Sequence, residues 1–221
     1  FKRGELMYDG QLRVFPTPEI DPYLVKRAHD TFHLTKLTAE DFKDGRPHAI
    51  IGLVPGEIIS EDAGYIDHID VEYDILKVAV IERHKNTHHI GLGYIKGYGL
   101  KSGAVATSIS HDSHNILVVG TNEEEMAAAA NRIVENHGGI TVMENGNVLG
   151  EVTLAIAGIM SDDPLVMVNS ALESAKDEAF RLGVSRDIDP FMTLSFMALP
   201  VIPTLRITTR GVFDVNTQRY I

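Results

Sequence analysis

No cysteine occurs in the 221 residues. Disulfides, thiolate nucleophiles and cysteine-based zinc sites are therefore excluded. Long apolar runs are missing as well, and none approaches the roughly 20 residues that a membrane span needs. Positive charge is scarce: 20 Lys and Arg stand against 31 Asp and Glu, a net charge of −11. Neither nucleic acid nor an anionic membrane gains from so acidic a partner, so neither is expected. Internal repeats and low-complexity segments are absent. The opening Phe1-Lys2-Arg3-Gly4-Glu5 does not read as a signal peptide. A cytoplasmic location is the expectation compatible with these absences.

What remains is ordinary globular material, 44% apolar and 23% charged. The length suits one large domain or two small ones. Glu5-Leu6-Met7-Tyr8 and Gln11-Leu12-Arg13-Val14-Phe15 flank Asp9-Gly10 and read as a hairpin. Pro16, Pro18, Pro22 and Pro47 punctuate an irregular connector with a short helix near Tyr23–His29. Strand-like runs follow at Ala49–Val54, Ile75–Glu82, Ile90–Ile95, Gly103–Ile109 and Ile116–Val119. Thr121 with Glu124 reads as a capping box for a helix that stops at Gly138-Gly139. Asn145-Gly146 marks a two-residue hairpin. Asp163 and Pro164 read as N-cap and first position of a second helix, its apolar face Leu165, Val168, Leu172, Ala175 and Ala179. The tail Phe191–Ile207 is apolar and is expected to pack on the core. The fold class expected is α+β (mixed α/β), with sheets covered by two principal helices.

The densest polar chemistry is His111-Asp112-Ser113-His114-Asn115, set between two apolar runs. Three readings stand. The imidazoles can ligate a metal with Asp112 or another carboxylate. One imidazole can move protons while Asp112 fixes its tautomer. Or the segment is a polar turn whose Asp and Ser bond local backbone. Further histidines and a bridging carboxylate at recognisable spacing are missing, so no metal is expected on this chain. Glu82-Arg83-His84 closes a strand-like run; Arg83 can grip an anion there, or the tripeptide is a solvated strand end. Gly91-x-Gly93-x-x-x-Gly97-x-Gly99 lacks a phosphate-loop pattern and reads as tight turns and close backbone approach.

Several ordered blocks resemble the C-terminal domain of adenine deaminases, in the amidohydrolase superfamily. They include Asp74–His84, Gly91–Lys101, Ser110–Asn115, Val118–Asn122, Ile156–Asp162, Asp189–Phe196 and Ala198–Pro203. The resemblance implies a hydrolase of purine metabolism that turns adenine and water into hypoxanthine and ammonia. It implies a metal-bearing barrel, with manganese or iron, that begins from a His-x-His motif. This chain has no His-x-His and no room for a barrel of about 250 residues. Residues 1–47 are then the hairpin and connector of a small β domain beside that barrel, and 48–221 the C-terminal-type domain. A chain that opens in mid-hairpin without Met is expected to be a fragment or processed product. The resemblance makes His111, Asp112 and His114 the catalytic candidates, and Glu82, Arg83, His84, Ser113 and Asn115 the candidates for touching the purine. The barrel and a second copy are the expected partners, and the chain alone is expected to be inactive. A non-catalytic folding or oligomerisation domain, and a free-standing purine-binding paralogue, are the alternatives.

Overall fold

The computed structural model describes residues 1–11 and 19–221. The second arm of the expected N-terminal hairpin lies largely outside them. Ahead of the first arm, residues 5–8, a tight turn joins Lys2 to Glu5 through a single bridge. The connector carries α1 (Pro22–His29), capped by the Asp21 side chain on Tyr23 N.

The body is a mixed eight-stranded sheet. Its strands are β1 (His48–Leu53), β2 (Ser60–Ile66), β3 (Ile75–Ile81), β4 (Ile90–Lys96), β5 (Ala104–Thr107), β6 (Ile116–Gly120), β7 (Gly139–Glu144) and β8 (Asn147–Thr153). The order across it is β2-β1-β4-β3-β6-β5-β7-β8. Only β1 and β4 pair in parallel among the described strands. The central strands read as continuous apolar runs because both faces are covered, so no side is left for polar residues. Alternate residues nevertheless part cleanly. Leu76, Val78, Val80, Val105, Leu117 and Val119 join one core, and Ala79, Ile81, Ala104, Ala106, Ile116 and Val118 the other.

The second face is covered by α2 (Glu123–Glu135) and by the connector, whose Leu37 and Phe42 are buried in that core. Asn131 of α2 clamps Leu37 through both its N–H and its carbonyl. The helix begins one residue later than the capping-box reading. Asn122 is the cap, accepting from Glu125 N, while the Thr121 hydroxyl donates to the Gly103 carbonyl. The acidic run Glu123–Glu125 does occupy the first turn. Lys77, buried in the middle of β3, donates to the Phe42 carbonyl and to Glu123, tying strand, connector and helix together.

The first face carries α3 (Leu165–Arg181), α4 (Pro190–Met197) and a three-stranded sheet of β9 (Leu205–Thr208), β10 (Gly211–Asp214) and β11 (Arg219–Tyr220). The second helix begins with Pro164 at the cap position and no side-chain cap; Asp163 instead bonds Ser161. Its face is Val168, Leu172, Ala175 and Ala179, whereas Leu165 is 82% exposed. The apolar tail thus holds a helix and the start of a sheet. Gly91 and Gly93 let that sheet lie on β4: a Cβ on Gly91 would sit 1.8 Å from the Thr208 carbonyl oxygen. The Asn145-Gly146 hairpin turn forms as its two positive φ angles require, 53° and 72°.

Candidate functional site

The segment 111–115 bridges β5 and β6 at one end of the central sheet. Thr107, Ser108 and Ser110, all buried, build its root. The Ser108 hydroxyl donates to the Gly158 carbonyl and accepts from Gly139 N at 2.8 Å. The turn closes through His114 N to the Ser110 carbonyl at 2.6 Å. α4 positions its outer side: His111 N donates to the Ser195 carbonyl, and the His111 ring stacks on Phe196 at 5.8 Å.

The five side chains do not share one environment. His111 is about half exposed and its Nδ1 meets the Asp112 carboxylate. Asp112 and Ser113 are exposed. His114 is partly buried, in the left-handed region at φ 49°, and its Nδ1 is buried without a hydrogen-bond partner. Burial pushes its pKa down, and the guanidinium of Arg83 and the neighbouring His111 and His84 add to this against the opposing pull of Asp112. At neutral pH the imidazole is therefore uncharged. Asn115 is only 8% exposed, and its Oδ1 is buried and unpartnered.

Glu82, Arg83 and His84 meet this turn from the end of β3. Arg83 is 1% exposed and is not a solvated end, although His84 beside it is exposed. Its guanidinium donates to the carbonyls of His114, Thr31 and Ala157 and to the Thr31 hydroxyl, and lies 4.2 Å from the Phe32 ring centre. Burial pulls its pKa down to about 10, so it stays charged at pH 7. Donors directed at the chain's own backbone do not grip a ligand; Arg83 joins connector, turn and the 157 loop. Burial alone would raise the pKa of Glu82, but hydrogen bonds from Thr87, His84 and Lys85 outweigh it and hold the carboxyl low. Its carboxylate thus closes the 84–87 loop. His84 Nε2 bonds the Ser113 carbonyl at 2.9 Å; a carbonyl only accepts, so that nitrogen carries the proton.

Beside the turn opens a cleft of about 410 Å³. Asp112, Ser113 and Asn115 line one side. Leu199, Pro200 and Val201 from the loop after α4, and Thr208 and Thr209 from the β9–β10 hairpin, line the other. Val80 and Ile207 lie at its base, and neither imidazole of the turn is in its lining. The structure thus brings Asp112, Ser113 and Asn115 to a shared cavity and turns His114 toward Arg83. Thr208 and Thr209 escaped the sequence reading, because nothing local marks a hairpin tip as the far wall of a cleft. Among the described residues no three His, Asp or Glu side chains gather so as to hold a metal ion. The donor set of this turn does not converge on a point where one would sit.

The model for the adenine deaminase C-terminal domain matches residues 57–219. The chain belongs to that family. Adenine deaminase of Bacillus subtilis is 51% identical over 152 residues, which are 69% of this chain and 26% of that protein. The Brucella melitensis adenine deaminase is 44% identical over 197 residues, 84% of this chain and 34% of the relative. The Bacillus licheniformis protein is 44% identical over 178 residues, 78% of the chain and 31% of the relative. The chain therefore spans about a quarter to a third of the length of the adenine deaminases it matches. No helix among the described residues is long and apolar enough to cross a membrane.

Proposed function

We propose that this adenine deaminase C-terminal domain walls the purine site of a longer enzyme, in which adenine and water become hypoxanthine and ammonia. The observation that carries the reading is the identity of 44–51% to proteins named adenine deaminase, of which it spans only a part. The remainder, a barrel, supplies manganese or iron to activate water, chemistry for which this turn has no converging donors. The contribution of this chain is local. The turn and cleft offer the base an amide, a hydroxyl and apolar walls, and exclude water around it. Asp112 lines the cleft with His111 Nδ1 against its carboxylate, a pair suited to accept or return a proton near the leaving ammonia. We place the enzyme in purine metabolism in the cytoplasm, as a homo-oligomer.

The test uses the full-length enzyme. His111→Ala or His114→Ala should lower turnover by a factor on the order of 10²–10⁴ while metal content stays normal. Near-normal turnover in both would reduce the turn to a structural element.

A second reading, a folding or oligomerisation domain, is favoured by one feature. Leu165, Val166 and Met167 at the start of α3 and nearby Met160 are exposed large apolar side chains. Leu165→Glu with Val166→Lys should shift the oligomer size in gel filtration if that face is an interface. An unchanged size with unchanged turnover would remove the reading.

A further inference from the structure

We propose that Arg206 is a positioning residue for the cleft: its buried guanidinium fixes residues 203–205, and through them the wall of Leu199, Pro200 and Val201 against which a substrate packs. The proposal rests on the cleft being the purine site. It goes beyond that reading, because Arg206 itself does not line the cavity.

Arg206 is a poor choice for stability alone. Leu205 and Ile207 on either side of it in β9 belong to the core, and Arg206 is as fully buried as they are. Burial alone acts on its pKa, which falls to about 10, so the group stays charged at pH 7 with no carboxylate to balance it. Its Nε is buried without a partner. A charge taken out of water on such terms adds little to stability, and an apolar side chain of similar volume commonly serves as well or better. What distinguishes arginine at this position is the set of groups that it holds.

Nη2 donates to the carbonyls of Ile58 at 2.7 Å and Pro203 at 2.9 Å. Nη1 donates to the Leu205 carbonyl at 2.6 Å and to the Ser60 hydroxyl at 2.7 Å. Ser60 completes the hub. Its N–H donates to the Pro203 carbonyl at 3.0 Å, and its hydroxyl accepts from Leu205 N at 2.9 Å. Ser60 is accordingly buried at the head of a strand that is otherwise mostly exposed. The stretch pinned in this way divides the far wall of the cleft in two. Leu199, Pro200 and Val201 precede it, and Ile207, Thr208 and Thr209 follow it. The preceding loop has its other end on α4, through Leu199 N to the Phe196 carbonyl at 3.2 Å. Between those ends Val201 is 71% exposed, so packing behind the loop does little to place it. Its position is set at its two ends, and Arg206 with Ser60 sets one of them. Arg83 has the matching place on the near wall, where it holds the His114 carbonyl. Each of the two buried arginines among the described residues thus secures one side of the cleft.

The experiment measures KM and kcat for adenine in the full-length enzyme. If Arg206 only stabilises the fold, its loss leaves fewer active molecules, so kcat per total protein falls and KM stays. If it positions the wall, KM rises, because a displaced wall weakens the binding of substrate and transition state alike. Arg206→Met should raise KM about tenfold while kcat falls less than about threefold. Arg206→Lys keeps the charge but reaches only some of the four oxygens, so its KM should lie between those of wild type and Arg206→Met. Ser60→Ala removes one hydroxyl from the same hub and should raise KM about threefold; it carries the test if Arg206→Met does not fold. An unchanged KM in Ser60→Ala and in the Arg206 variants that fold overturns the proposal, whatever happens to kcat or melting temperature. Failure here is separable from failure of the site as a whole. If His111→Ala or His114→Ala lowers turnover while these variants keep their KM, the purine site stands and only the role of Arg206 falls. If the variants of the turn and of the hub are all normal, both fall.

Discussion

Replacing Arg83 by Met tests how the turn is held. The guanidinium supplies hydrogen bonds to three backbone carbonyls from three separate stretches: Thr31 in the connector, His114 in the turn and Ala157 in the loop before α3. Met fills part of the space and keeps an apolar contact with Phe32, but it donates nothing. Each carbonyl left without its donor costs about 1–3 kcal/mol, the lower figure where water can enter. Removing one side of a buried charged network costs about 3–5 kcal/mol in other proteins. We therefore expect a loss of about 3–5 kcal/mol, a large share of the roughly 5–15 kcal/mol that holds an ordinary domain. With a urea slope of about 2 kcal/mol per M, the midpoint should fall by roughly 1.5–2.5 M.

Arg83→Lys separates geometry from charge. Lysine keeps the charge but offers one point rather than a planar fork, so it reaches only part of the three-way set and should recover less than half of the loss. Hydrogen exchange supplies a local readout. His33 N donates to the Arg83 carbonyl at 2.7 Å, so connector amides near Thr31 and His33 should lose protection before those of β3 and β6. A midpoint shift under about 0.3 M in Arg83→Met would refute the reasoning, since it would mean that water replaces the guanidinium at negligible cost.

Other perturbations have equally direct outcomes. Gly91→Ala places a methyl 1.8 Å from the Thr208 carbonyl and should prise the small sheet from β4, while Gly56→Ala, with nothing within 4 Å, should cost only the strain of its φ of 76°; thermal unfolding of the two compares them. His114 is held below the ordinary imidazole pKa by burial, then by Arg83, His111 and His84. The unfolded chain therefore binds this proton at a higher pH than the folded one. The stability it contributes is whole above about pH 6.5 and is lost as pH falls through the depressed folded value. His114→Gln should flatten the fall of the urea midpoint below that pH, and an unchanged slope would contradict the assignment. Asp189 caps α4 and pairs with Lys176 at 2.9 Å; burial opposes its ionisation, but bonds from Met192, Lys176 and Phe191 hold its pKa below the usual range. Asp189→Asn should cost about 1 kcal/mol at pH 7, with the difference shrinking as pH falls through the depressed carboxyl value. Purified residues 1–221 supplied with manganese or iron should not release ammonia from adenine, and enzymatic turnover would place a complete site within them.

The parts of this molecule that sequence exposes are those decided within a few residues. Both faces of the central sheet are covered, so β1 and β3 to β7 stand out as apolar runs, and Asn145-Gly146 announces its turn through the φ angles it must adopt. β2 escaped notice because it is an edge strand, Ser60-Glu61-Asp62-Ala63-Gly64-Tyr65-Ile66, mostly polar and exposed along its length. α4 hid inside an apolar tail: its less buried side carries Met192 and Phe196, themselves apolar, so no polar face marks a helical period. The caps slipped by one residue where two capable side chains stood together. Thr121 and Asn122 can both cap, and only the nearby Gly103 carbonyl decides that threonine turns away.

The same division runs through the candidate site. Five polar residues in a row mark the turn, but which of them face a cavity depends on partners far away in the chain. Asn115 is a cleft residue because the β9–β10 hairpin returns beside it, and that approach requires Gly91, nearly 120 residues before Thr208, to have no side chain. Arg83 looks like an anion grip in its tripeptide and becomes a buried clamp only when Thr31, His114 and Ala157 converge on it. A charged residue at a strand end has the same local signature in either role. What separates them is whether its donors are already engaged by backbone, and that is a property of the fold.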